Sequence, residues 1–186
     1  MTPLQRPARS TIALHWLVAA GVSAMLAFGF FVSSLPRGPE KTEWVQTHKS
    51  CGMIVLCVVL ARAAWRLLVR VPRDGTPSWE AIAARAAHAL LLAATIVAPL
   101  SGVLKSVSYA RPVQVFGLPV IPQLLAEKNE ALNEAASALH VAAAWTLVAL
   151  ITIHIAAALK HHLVDRDDTL LRMLPWRDRT PEAAQR

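Results

Sequence analysis

Charge is scarce in this chain. Asp, Glu, Lys and Arg make up 17% of its 186 residues, against 55% for the apolar types. A soluble domain carries about 25% charge, so this shortage, with a mean hydropathy of +0.42, argues against water on all sides. Cysteine is nearly missing as well. Cys51 and Cys57 share one apolar run, six positions apart; on a helix that is about 9 Å along the axis, too far for a bridge within the chain. No repeat and no low-complexity segment interrupts the sequence. The formal net charge is +7, yet the cations form neither a groove-reading element nor an aromatic-interleaved patch, which excludes nucleic acid as the expected partner. They flank the apolar runs instead, as in a protein surrounded by membrane lipid.

Four apolar runs are long enough to cross a hydrocarbon core, which needs about 20 helical residues. They extend from about Thr11 to Leu35, Trp44 to Val71, Ala83 to Tyr109, and Glu134 to Leu159 or Lys160. Prolines and turn residues stop the first two, at Pro36 and at Pro72 with Arg73 to Pro77. Helix is the expected state, because an open strand in lipid leaves its backbone groups unpaired. The reading is an all-α, four-span membrane bundle forming one domain over residues 1–186. The first run is long and lacks a small-x-small exit site, so no cleavable leader is expected. With the N-terminus inside, Lys and Arg divide thirteen to six in favour of the inner segments, which predicts both termini in the cytoplasm. The 110–133 connection, with Pro112, Pro119 and Pro122, is expected to fold as an outer cap, with a short helix through Leu124 to Leu132.

Five of the seven histidines lie in or beside these runs: His15, His48, His88, His140 and His154. An ionisable group inside a span is costly and marks function by default. His140 and His154 are fourteen positions apart, close to four helical turns. They therefore share one face, separated by about 21 Å along the axis. A single compact metal site wants ligands about one turn apart; two haems stacked through a bundle want this wider spacing. The alternating direction of the spans puts His48 and His140 near the outer face, and His15 and His154 near the inner face. Each pair would give one iron two axial nitrogens, leaving no open position for oxygen. The cofactors expected are thus two haems b, held without covalent links since neither cysteine lies in a C-x-x-C-H pattern.

His88 competes for the inner pair; it also reads as a hydrogen-bonded structural histidine, or as a contact to a haem propionate or quinone. Arg62 lies fourteen positions after His48, on the same face but at the inner level. A buried cation needs a partner, and Arg62, like Arg9, reads either as a propionate partner or as a snorkelling interfacial cation. Gly21, Gly29, Gly52 and Gly102 remove bulk that would obstruct a flat porphyrin.

Together these stretches resemble the prokaryotic cytochrome b561 family. The resemblance is carried by Ala13-Leu14-His15-Trp16-Leu17 with Arg9 ahead of it, His48-Lys49-Ser50-Cys51-Gly52, and Val115-Phe116-Gly117-Leu118. It continues in His154 followed by Ala156 to His162, and in Asp168-Thr169-Leu170-Leu171-Arg172-Met173-Leu174-Pro175. It covers nearly the whole chain. It implies a four-helix, di-haem b protein of the bacterial inner membrane, with His15, His48, His140 and His154 as ligands. The nearest likeness is to the superoxide oxidase branch, which implies electrons taken from superoxide at the periplasmic face and ubiquinone as acceptor.

On that reading Lys49, Lys105, Arg111 and Lys128 would form a cationic funnel for a small anion, offset by Glu127, Glu130 and Glu134; the lysines read equally as solvated loop charges. His88, His161 or His162 would bond a quinone carbonyl or deliver protons. Two rivals remain: an electron-relay subunit docked to a dehydrogenase or hydrogenase as its redox protein partner, and a haem-free transporter with a histidine proton relay. The lack of an inverted repeat counts against the second rival.

Overall fold

The computed structural model describes residues 7–69 and 79–174. Its elements, in order, are α1 (Arg9–Ser34), α2 (Pro39–Leu68), α3 (Trp79–Val107), β1 (Val113–Val115), β2 (Leu118–Ile121), α4 (Glu130–Leu163) and a single 3-10 turn, Leu171–Met173. All four helices are long and apolar enough to cross a membrane. The expected stop at Pro72, the Arg73-to-Pro77 turn and Pro175 lie outside the described residues.

Helices α2 and α4 begin several residues earlier than the hydropathy runs, for local chemical reasons. Pro39 opens α2 at a position whose missing N–H costs nothing. Asn129 caps α4 by accepting a hydrogen bond from Leu132 N at 2.9 Å. Between α1 and α2, Lys41 Nζ donates to the carbonyls of Leu35 (2.7 Å) and Ser33 (3.3 Å), satisfying acceptors that the end of α1 leaves free.

The bundle core is built from small and β-branched side chains, among them Val18, Val22, Val59, Ala98, Ala143 and Leu147. Helix α3 packs chiefly on α4, and α1 on α2. Large apolar residues such as Ile54, Leu100 and Ile153 face outward; in a bilayer that is the low-energy side, because lipid is as apolar as leucine.

The outer connection differs from expectation. No helix forms over 124–129, and α4 has already begun at Glu130. The segment instead folds as an antiparallel hairpin, β1 against β2. Phe116 (φ 48°) and Gly117 (φ 83°) supply the two left-handed residues of a primed two-residue turn, which matches strand twist. The hairpin signal in the sequence is the Phe-Gly pair between Val-Gln-Val and Leu-Pro-Val.

Two bonds fasten the hairpin to α2. Phe116 N donates to Ser50 Oγ at 2.9 Å, and Gln46 Nε2 donates to Gln114 O at 3.1 Å. Two stretches of the family resemblance, around Ser50 and around Phe116, are thus one contact.

At the other end, Trp16 Nε1 donates to Met173 O, folding the tail onto α1 beside His15. Trp65 Nε1 donates to Thr11 Oγ1 at 3.1 Å, tying α2 to α1 at the same level.

Ala110, just past α3, sits at φ 52°, where a Cβ is disfavoured. Ala110→Gly is expected to stabilise the protein by about 0.5–1 kcal/mol, glycine's unfolded-state freedom offsetting part of roughly 1–2 kcal/mol of left-handed strain. A detergent-solubilised thermal melt showing no rise in Tm would refute this.

Candidate functional site

The four spans bring the histidines together at two levels. At the outer level the rings of His48 (α2) and His140 (α4) are 6.3 Å apart, centre to centre, and nearly perpendicular. At the inner level His15 (α1) and His154 (α4) are also 6.3 Å apart, inclined at 62°. An ion held by one nitrogen from each of two facing imidazoles, at about 2.0–2.1 Å per bond, requires ring centres roughly 6 Å apart. Both pairs meet that spacing. His88 (α3) lies 5.4 Å from His154 in an edge-to-face contact, so the inner level holds three histidines.

Hydrogen bonding distinguishes the levels. His140 Nδ1 lies 2.7 Å from the carbonyl of Ala98. A carbonyl only accepts, so Nδ1 carries the proton and Nε2 keeps its lone pair, the form a metal ligand needs. Ser101 Oγ donates to the same carbonyl at 2.7 Å and lies 3.2 Å from His140 Nδ1. Pro99 stands between these residues inside α3. The opposing His48 Nδ1 is buried without a hydrogen-bond partner, packed edge-to-face on Phe28.

At the inner level Arg62 Nη2 is 3.2 Å from His15 Nδ1. Guanidinium only donates, so here Nδ1 accepts. For His15 to offer Nε2 as a neutral ligand, Arg62 has to take another acceptor, and a carboxylate is the natural one.

The four glycines fall into two classes. A Cβ on Gly29 would meet His48 Cε1 at 3.2 Å, and one on Gly102 would meet His140 Cε1 at 3.3 Å, so these two make room for the outer imidazoles. Gly21 and Gly52 instead face Val55 and Met25 and serve the α1–α2 contact.

Arg9 is exposed at the first residue of α1. His161 and His162 are half-buried at the inner end of α4. His161 Nδ1 lies 2.9 Å from Asp165 Oδ2 and 3.1 Å from Asp167 Oδ2, and Lys160 pairs with Asp165 at 2.8 Å. Burial works to raise the Asp167 carboxyl, but the Thr169 backbone and side chain and the His161 ring outweigh it and hold it below its ordinary value.

On the outer face the hydrogen bond from Lys128 to Glu130, 2.6 Å away, raises the lysine above its usual value. Sequence reasoning overlooked Tyr109. Its ring receives Lys128 Nζ at 5.2 Å from its centre and Lys49 Nζ at 6.0 Å.

The family model described as prokaryotic cytochrome b561 matches residues 7–176. The chain belongs to the prokaryotic cytochrome b561 family.

It is 36% identical to cytochrome b561 homolog 2 of Escherichia coli (strain K12) over 172 residues, 87% of each chain. It is 28% identical to cytochrome b561 homolog 1 of the same organism, covering 94% of this chain and 99% of that one. A third relative is the probable superoxide oxidase CybB of Yersinia pestis, 29% identical over 88% of this chain and 93% of the relative. Like other cytochromes of the b561 family, this is a multi-pass helical bundle of the bacterial inner membrane that binds haem b and transfers electrons. The donor set suits the group: imidazoles spaced for an ion between them and bordered by glycine on the outer level.

Proposed function

We propose that the whole chain is one di-haem unit that oxidises superoxide at its outer face and reduces ubiquinone, with both termini in the cytoplasm. The observation that carries the di-haem part is the pair of equal 6.3 Å histidine spacings at two levels. His48 and His140 hold the outer haem, and His15 and His154 hold the inner one. Haem b, when bound, supplies a one-electron carrier at each level.

The residues around it do the rest. Two imidazoles per haem would leave no position for oxygen, so the chemistry that His48 with His140 and His15 with His154 would support is electron exchange rather than oxygen binding. Ala98 O and Ser101 fix the His140 tautomer. Arg62, half-buried beside His15, would leave Nδ1 to pair with a haem propionate; Arg9, exposed at the start of α1, would meet one only at the bundle's edge. His88 buttresses His154 through its ring contact.

Two superoxide anions give up one electron each and leave as oxygen; ubiquinone takes both electrons and two protons to become the quinol. At the inner end His161, oriented by Asp165 and Asp167, and beside it His162, are the groups suited to bond a quinone carbonyl and hand on protons. Support for superoxide comes from the lysines about Tyr109 and from the name of the Yersinia pestis relative.

The deciding experiment is rapid mixing of the purified holoprotein with superoxide in the presence of a ubiquinone analogue. The Soret and alpha bands of reduced haem should appear at a bimolecular rate on the order of 10⁸ M⁻¹s⁻¹, near the diffusional ceiling. Reduction slower by several decades would end the superoxide reading.

A second reading is an electron-relay subunit docked to a dehydrogenase or hydrogenase. It is favoured by the outer hairpin, where Phe116 and Leu118 are 61% and 70% exposed. It predicts co-purification with a soluble redox protein and little activity alone.

A further inference from the structure

Tyr109 is the chain's single tyrosine, and lysines from two other segments approach its ring. Lys49 comes from α2, directly after His48; Lys128 comes from the segment before α4. Lys105, on the last turn of α3, lies near enough to Lys49 for the two cations to repel. It follows Gly102 by less than one turn, and Gly102 faces the His140 ring. Lys49 and Lys105 therefore lie within one helical turn of residues at the outer histidine pair.

Three ammonium groups do not assemble unaided, since each repels the others. The negative face of the Tyr109 ring offers two of them, Lys49 and Lys128, a common partner within about 6 Å. Local bonds hold this arrangement: Asn129 N donates to Ser108 O at 3.0 Å, and Asn133 Nδ2 donates to Ser108 Oγ at 2.8 Å and Lys105 O at 3.3 Å. Ser108 itself is fully buried. The Lys128–Glu130 pair is solvent-exposed, so it screens the lysine without removing it from the cluster.

We propose that Tyr109 is a positioning residue whose ring gathers Lys49 and Lys128 into a receiving site for small anions at the outer-histidine end of the bundle. That the anion is superoxide rests on the reading above; the gathering of cations by the ring does not. The ring, rather than the phenol hydroxyl, performs this role, because it is the ring face that both ammonium groups approach.

The test compares holoprotein carrying Tyr109→Phe or Tyr109→Leu with the parent, each mixed with superoxide across a range of salt concentrations. Tyr109→Phe keeps the aromatic face and should react within about two-fold of the parent. Tyr109→Leu should be slower by about ten-fold at low salt, and the gap should close as the Debye length shortens. Unchanged haem spectra and thermal melts establish that both variants fold. A second probe is ferricyanide oxidising the dithionite-reduced protein, with cationic hexaammineruthenium(III) as the control. Tyr109→Leu should slow ferricyanide and leave hexaammineruthenium equal or faster.

Parent-like ferricyanide and superoxide rates in Tyr109→Leu would overturn the proposal, as would Tyr109→Phe being as slow as Tyr109→Leu. A parent indifferent to superoxide, with ferricyanide still slowed by Tyr109→Leu, would retain the anion site and remove superoxide as its ligand.

Discussion

His140→Ala is expected to yield protein with about one b haem per chain in place of two, the outer one lost; His154→Ala should lose the inner one. On the proposed di-haem reading, the outer haem would find no substitute nitrogen at its level, where His48 faces His140 alone among the described histidines. The rest of the bundle has reason to survive. The two levels are about 21 Å apart along α4, and sites so separated behave independently. Pyridine-haemochrome analysis counts the haems, and a redox titration shows which potential disappears.

The inner level adds a sharper comparison. His15 stands 6.3 Å from His154 and His88 stands 5.4 Å from it; the longer spacing suits an ion between the rings, and the shorter one is an ordinary aromatic edge contact. His15→Ala should therefore lose the inner haem while His88→Ala keeps it. The opposite pattern would reassign the pair.

Gly102→Val should abolish the outer haem almost as completely as His140→Ala, although every histidine remains. Its Cβ would lie 3.3 Å from His140 Cε1 and 3.4 Å from Nδ1, and the two methyl groups beyond it would claim the ring's own space. The imidazole must then swing away and give up the 2.7 Å bond to Ala98 O that sets its tautomer. Overpacking of this kind costs about 1–3 kcal/mol, and here it falls on the ligand itself. Gly29→Val should act in the same way through His48, whose Cε1 would be 3.2 Å from the new Cβ.

Gly52→Ala provides the contrast. Its Cβ would meet only the flexible Met25 Cε at 3.6 Å, so haem content should stay at the parent level. Equal haem loss in all three variants would mean that the glycines act through general helix packing rather than through the imidazoles.

Much of this arrangement was legible beforehand, and the limits fall at identifiable residues. The depths of His15, His48, His140 and His154 follow from helical rise and from alternating span direction, so their pairing by level needed no coordinates. His88 remained ambiguous because depth does not fix which way a ring points around its helix. All four glycines looked alike in sequence. Gly29 and Gly102 proved to border histidines while Gly21 and Gly52 border Val55 and Met25, a distinction made by the neighbouring helix. The hairpin at Phe116 and Gly117 was readable from its turn residues. Its bond to Ser50, 66 positions away, was not.

What the amino-acid order determined by itself is the set of four spans and the heights of their histidines, because hydrocarbon leaves the backbone no alternative to helix and the helix converts residue number into depth. Only the packed bundle decided azimuth: which ring meets which, where Arg62 donates, and that two lysines distant in the chain, Lys49 and Lys128, stand near one tyrosine ring. Those contacts depend on how helices rotate against one another, and that rotation is set by side chains from several segments at once.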